Sequence, residues 1–447
     1  MRNYITIIFF GFAFLPGSAQ NIPSVWNMDD CMDYAVKHSN TVKKQEYGLS
    51  SAKADLQAAA ASFLPSVNAS AAAQYNWGRN IDPSTNTYNN VTTFNNYYDI
   101  YASIYLFDGG QVINSWKQAK IARQQGMNNV QKARDDKAIE IMQDFVDVVY
   151  CHGCTKFATQ KLNDSRRTLH KTERQEELGM KGKPDVAQIK AQVAEDDYNL
   201  THQQNLYNTA LLKLKSDMNL PASDSLTIDT LLLDITPDFR MESTDEIYAY
   251  ASTNNPAALA AKLNVKNLKL QYNINKGKLM PSISLAAGVS TSYYRNFSGS
   301  TSPLSFSNQF KNNRGEYVGA TLKIPIFNQL SGVRDLRKAR NNLRIAQADE
   351  DEALRKLRTD IEQSVMDRNG YAKEVVQMIS KVDADAWAYH ITQRKFEEGL
   401  MNAIDLQTSA NTLLQSRISL LQKRMLYIMK DRLVTYYKGN GLITENK

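Results

Sequence analysis

The chain is poor in the residues from which most reactive sites are built. Of its 447 residues only three are cysteine (Cys31, Cys151, Cys154), five are histidine and eleven are proline. An odd cysteine total excludes a purely disulfide-built scaffold. The pair in "CHGC", Cys151–Cys154, falls inside a helical stretch. Redox C-x-x-C chemistry needs a thiolate at a helix N-terminus in a βαβ setting, and a haem site would need histidine where Thr155 stands. His38, His152, His170, His202 and His390 are scattered without metal-ligand spacing, no glycine-rich phosphate loop follows a strand, and no nucleophile motif is present. The expectation is a protein that is not an enzyme and holds no cofactor or metal.

Long hydrophobic runs are also missing. The N-terminal "MRNYITIIFFGFAFLPGSAQ" has an early Arg2, an apolar run and the small residues Gly17-Ser18-Ala19, the pattern of a signal peptide over residues 1–19. Beyond it no stretch approaches the roughly 18 apolar residues of a membrane-spanning helix. No cysteine sits in the lipobox position just after the apolar run, so no lipid anchor is expected. An exported chain of this kind is periplasmic, secreted or an outer-membrane β-barrel. Excess charge of one sign is small: 53 Lys and Arg against 46 Asp and Glu give +7, with both signs interspersed, as in Arg334-Asp335-Leu336-Arg337-Lys338. That is a solvated helix face, not a nucleic-acid footprint.

What is present is an internal duplication. "DDCMDYAVKHSN" from Asp29 matches "TDEIYAYASTNNP" from Thr244, with Ala35 opposite Ala251, and "FLPSVNASAAAQYNW" from Phe63 matches "LMPSISLAAGVSTSYY" from Leu279, with Pro65 opposite Pro281, both at an offset of 216. "YASIYLFDGGQV" from Tyr101 matches "VGATLKIPIFNQLSGV" from Val318, with Phe107 opposite Phe327 at an offset of 220. "EELGMKGKPDV" from Glu176 and "EEGLMNAIDL" from Glu397 each place an aspartate six residues after a glycine, Gly179 with Asp185 and Gly399 with Asp405, again at 220. Phenylalanine to glycine is 72 positions in both copies, a conserved length that points to a helix acting as a ruler. The proposed organisation is a first repeat over 20–220, a linker over 221–243, a second repeat over 244–438 and a tail over 439–447.

No proline interrupts Gln111–Leu178 or the chain beyond Pro325, and strong helix formers dominate both stretches. In the second copy Leu354, Ile361, Val375, Val382, Tyr389 and Phe396 recur at multiples of seven, with Arg368 breaking the row. Some 68 helical residues would extend roughly 100 Å, so an elongated molecule is expected. A return helix should follow each glycine, over about 186–218 and 404–437, making two antiparallel hairpins.

The other end of each repeat alternates with period two. Val67, Ala69, Ala71 and Ala73; Ile100, Ala102, Ile104 and Leu106; Ile283, Leu285, Ala287 and Val289; and Val318, Ala320, Leu322 and Ile324 mark four strands of about ten residues. Tyr75, Trp77, Tyr97, Tyr98, Tyr293 and Tyr294 lie near the strand ends beside long Ser/Asn/Thr loops, as an interfacial aromatic girdle would. Four strands cannot close a barrel in lipid, where open edges are not tolerated, so closure requires other chains.

The signal peptide, the duplication, the strand pair ending in "IYLFDGGQV" and "LKIPIFNQLSGV" and the glycine-aspartate turns resemble the TolC family of outer-membrane efflux proteins. The resemblance implies a mainly α fold of long helical hairpins forming a periplasmic tunnel, with four strands per chain in a twelve-stranded barrel of a homotrimer in outer-membrane lipid. It also implies a periplasmic adaptor docking on the tunnel tip and an inner-membrane RND or ABC transporter. The implied function is a passive exit duct for small toxic compounds. The alternatives are a duct for type I protein secretion, or, in another class, a non-conducting coiled-coil scaffold. By position, Asp405 falls on a family gate aspartate and Asp185 on its first-repeat counterpart. Phe396 replaces a gate tyrosine, Met401 a gate arginine and Thr408 a second aspartate. Gly179 and Gly399, with Leu178 and Leu400, would make the turns that the adaptor grips. Asp185 and Asp405 also sit in the first turn of a helix, where an acid favours the N-terminus without further role. Capping alone, and capping combined with a pore-facing charge, both stand.

Overall fold

A computed structural model describes residues 25–82, 86–230, 236–238, 242–298 and 305–442. The expected signal peptide, part of the expected linker and part of the expected tail lie outside them. The two halves of the chain are built from helices of equal length. Helices α1 (Met28–His38) and α5 (Thr244–Asn254) have 11 residues each, and α2 (Asn40–Ala61) and α6 (Pro256–Gly277) have 22. Helices α3 (Gln111–Glu177) and α8 (Ser331–Glu397) have 67, and α4 (Lys183–Asp217) and α9 (Ala403–Tyr437) have 35. The mainly α expectation and the two long hairpins hold.

Strands β1 (Ser66–Asp82), β2 (Thr87–Phe107), β3 (Ser282–Asn296) and β4 (Gly315–Lys323) form one antiparallel sheet in that order. Three of them exceed the expected ten residues, at 17, 21 and 15. The extra length is polar, rich in Asn and Thr, and pairs through the backbone where the side chains give no alternation. The register sets Ala69 opposite Ile100, Ile100 opposite Val289 and Ala287 opposite Val318. The alternating apolar residues of all four strands therefore share one face. A short helix, α7 (Phe306–Asn312), stands between β3 and β4.

Each strand-to-helix junction turns through two successive left-handed residues. In the first half these are Gly109 and Gly110, and the Asp108 carboxylate accepts the N–H groups of Gly110 (3.0 Å), Gln111 (3.0 Å) and Val112 (2.6 Å), capping α3. In the second half Gln329 (φ 56°) and Leu330 (φ 60°) adopt the same geometry without glycine. The difference has a steric cause: a Cβ on Gly109 would collide with the Gly277 backbone, which crosses it closely.

The chain divides into two compact units. One holds the described residues of 35–140, 236–384 and 422–447, including the sheet. Its helical core joins Ile247, Ala251, Ala258, Leu357, Ile361, Val365 and Val434. Arg368, the residue that breaks the seven-residue row, is 2% exposed there and binds Glu242 Oε2 at 2.9 Å, with Asp431 at 3.9 Å. Lys438 also bonds Glu242. Burial works against the Glu242 charge, but Lys438 and Arg368 outweigh it and hold the carboxyl below its ordinary range. The other unit holds the described residues of 1–34, 141–235 and 385–421. Cys31, Cys151 and Cys154 all lie in it as free thiols. Burial pushes the Cys151 thiol up to about 11, which leaves it protonated and a poor nucleophile.

Candidate functional site

Within this second unit the two hairpin turns are built alike. Helix α3 ends in Gly179 at φ 75°, with Gly179 N–H bonded to Glu176 O (2.9 Å) and Met180 N–H to Gln175 O (2.8 Å). Helix α8 ends in Gly399 at φ 79°, with Gly399 N–H on Phe396 O (3.1 Å) and Leu400 N–H on Lys395 O (2.8 Å). Both are Schellman motifs, which need a left-handed residue just past the helix and favour glycine there. Beyond each, the return helix starts with an aspartate at its third position. Asp185 Oδ2 accepts the Gly182 N–H at 3.3 Å, while the Asp405 N–H is itself held by Asn402 Oδ1 at 2.8 Å. The two turns thus use the carboxylate differently: Asp185 completes the cap, and Asp405 leaves that to Asn402 and keeps an exposed side chain.

The two tips touch. Lys171 binds Glu397 Oε1 at 2.7 Å, and Gln175 Nε2 donates to the Glu397 carbonyl at 3.0 Å. Phe396 is 2% exposed and packs with Ile189, Ala403 and Leu406, bordered by Leu169, Tyr389 and Met401. Lys181 Nζ stands 4.2 Å from the Phe396 ring centroid, a cation over an aromatic face. Higher up, Lys161 bridges the buried Asp196 (2.9 Å) and Asn411 (2.5 Å). Phe396 therefore belongs to the packed interior that joins the hairpins. Asp405 and Thr408 are exposed, one turn apart, and Asp185 is half-buried. Leu178 and Leu400, at 65% and 71% exposure, present apolar side chains on the outside of the turns. Sequence patterning did not single out Lys171, Lys181 or Glu397, because their partners lie on the other half of the chain.

The six aromatics expected to form a girdle separate by face. Tyr75, Trp77, Tyr98 and Tyr293 fall in the alternation that includes Ile100 and Val289, whereas Tyr97 and Tyr294 fall one residue out of step, on the polar face. The apolar-face group is enlarged by Phe94, Phe297, Phe306 and Phe310: Tyr75 lies 4.6 Å from Phe94 and 5.9 Å from Phe297, and Tyr293 lies 5.3 Å from Phe306. Among the described residues no helix is long and apolar enough to cross a membrane. Nor does any group of three or more His, Cys, Asp or Glu stand close enough there to hold a metal ion.

A family model for outer membrane efflux proteins matches residues 32–219 and 247–428, most of the chain and one segment in each half. The chain belongs to that family. A search of curated protein sequences finds no match. Several solved structures share the fold of this outer membrane efflux protein. VceC of Vibrio cholerae superposes with a TM-score of 0.79 at 15% identity, over 93% of this chain and 96% of its own. CmeC, an outer membrane channel of Campylobacter jejuni, gives 0.78 at 14% identity over 94% and 87%. The open state of the Neisseria gonorrhoeae MtrE outer membrane channel gives 0.77 at 15% identity over 94% and 90%. The likeness spans the hairpins and the sheet alike, and the fold is that of the TolC-type channels.

Proposed function

We propose that this outer membrane efflux protein is the exit duct of a tripartite pump, passing small toxic compounds through the outer membrane by conduction rather than catalysis. The observation that carries the reading is the sheet. Its four strands have a continuous apolar face and two unpaired edge strands, β1 and β4, in a chain whose family is one of efflux channels. Such a sheet is stable in lipid only when its edges are paired, and three copies would supply twelve strands. Under this reading the helical hairpins hang into the periplasm as a shared tunnel. A periplasmic adaptor grips the turns at Leu178-Gly179 and Glu398-Gly399-Leu400, and an RND or ABC transporter supplies the energy. Asp405 and Thr408 line the tip, Phe396 supports it from behind, and Asp185 serves as a cap.

The test is single-channel recording of the purified protein in a planar bilayer, for the wild type, Asp405→Ala and Asp185→Ala. Stepwise conductance is expected, with cation preference lowered in Asp405→Ala and unchanged in Asp185→Ala. A correctly folded oligomer that never conducts would refute the duct. Unchanged cation preference in Asp405→Ala, with a slightly lower melting temperature, would reduce that aspartate to a helix-end charge.

A further inference from the structure

Strand β4 stops short of its neighbour. Its last pairing is Gly315 with Ser290, and β3 continues for six more residues to Asn296. Helix α7 takes over that edge. Asn313 Nδ2 donates to Ser292 O at 2.7 Å, and the buried Gln309 side chain accepts from Tyr294 N (3.0 Å) and donates to Tyr294 O (2.9 Å). Side-chain amides thus replace a missing ladder, where unpaired backbone groups near lipid would be costly. Thr291 Oγ1 donates to Phe310 O at 2.8 Å, and the Phe310 ring lies 5.5 Å from Tyr98, so the helix is fixed against the apolar face of the sheet.

The outer surface of this patch is aromatic and cationic. Phe306 and Phe310 remain 47% and 41% exposed. From Arg295 to Arg314 the sequence contains Arg295, Lys311 and Arg314 and no acidic residue. Arg295 stands over Phe297 at 4.7 Å, and Arg314 is occupied by Glu316, which leaves exposed Lys311 and Arg295 as the cations facing outward chemistry. Exposed aromatic rings beside exposed positive charge on the apolar face complement an anionic headgroup above acyl chains.

We propose that α7 and Arg295 form a seat for an anionic lipid of the outer membrane, whose phosphate meets Lys311 and Arg295 while its chains lie against Phe306 and Phe310. The inference rests on reading the sheet as part of a transmembrane barrel. The test uses the full-length protein in neutral detergent, with native mass spectrometry counting retained phosphatidylglycerol against phosphatidylcholine of the same chains. Each surface cation favours the anionic lipid by about fivefold. The wild type should prefer phosphatidylglycerol by at least that factor, Lys311→Gln should reduce the preference, and Arg295→Gln/Lys311→Gln should abolish it. Arg358→Gln, on α8, should leave it unchanged. Equal retention of the two lipids by the wild type, or an undiminished preference in the double variant, overturns the seat. Bilayer conductance separates the two readings: a conducting protein without headgroup preference sinks only the lipid seat, and one that never conducts sinks the duct.

Discussion

Phe396→Ala should loosen the hairpin tips without unfolding the sheet. The ring is 2% exposed, packed on Ile189, Ala403 and Leu406, and carries Lys181 on its face. Burying such a side chain and leaving a cavity on its removal are together worth about 3–5 kcal/mol, and a site near the turns, where the helices can close in, falls near the lower end. About 3 kcal/mol corresponds to about 150-fold in a local opening equilibrium. Hydrogen exchange measured by mass spectrometry on the wild type and the variant reads that equilibrium directly, because local opening need not involve the rest of the molecule. Peptides covering 176–190 and 396–408 should exchange about two decades faster, while those of β1 to β4 should not change. Phe396→Leu, which leaves a smaller void, should give an intermediate effect. Acceleration of less than about fivefold at Ile189 and Leu406 would mean that the ring is not what joins the tips, and the packing argument would fail.

Other outcomes follow from the same structure. Arg368→Met should destabilise the protein by about 3–5 kcal/mol in denaturant melts because Glu242 is left buried beside only Lys438, whereas Arg368→Met/Glu242→Gln should recover much of the loss. Gly109→Ala should lower the melting temperature through both left-handed strain and the clash with the Gly277 backbone, while Gln329→Gly should be neutral or stabilising. Burial raises the Asp144 carboxyl to about 6, against the opposing pull of Lys213. A carboxyl raised in the folded state binds more protons there than in the unfolded chain, so its contribution to stability falls as pH rises from about 4 to about 6. Asp144→Asn should remove that fall, seen as a smaller difference in melting temperature between pH 5 and pH 7 than in the wild type.

The long hairpins were legible because their information is local and written twice: no proline, strong helix formers, a seven-residue row, and glycines at equal distances. The turns were legible for the same reason, since a Schellman motif needs only a left-handed residue in place. Strand length was not, because residues such as Thr92, Asn95 and Asn96 pair through their backbones and carry no apolar alternation. Helix α7 was invisible for a different reason. Gln309 and Asn313 become meaningful only once β4 has stopped short of β3, and that is a fact about the sheet. Arg368 showed in the sequence only as a gap in a row. Its carboxylate partners, Glu242 and Asp431, sit 126 residues before it and 63 after it, where a reading of local pattern does not connect them. Nor did the sequence separate Tyr97 and Tyr294 from the other four aromatics, since one residue along a strand exchanges the two faces and the strand register alone reveals which.

The equal lengths of α3 and α8, and of α4 and α9, have a consequence for how this chain tolerates change. Losing two turns, seven residues, from α3 alone would slide every residue beyond the cut by about 10 Å along the helix axis. Lys171 would then miss Glu397, and Leu169 and Lys181 would leave Phe396. The same deletion made again in α8, with both return helices shortened to match, would bring the pairs back into step. Insertions and deletions in these hairpins are therefore tolerated only in sets, so one half of the gene cannot change its helical reach without an answering edit in the other.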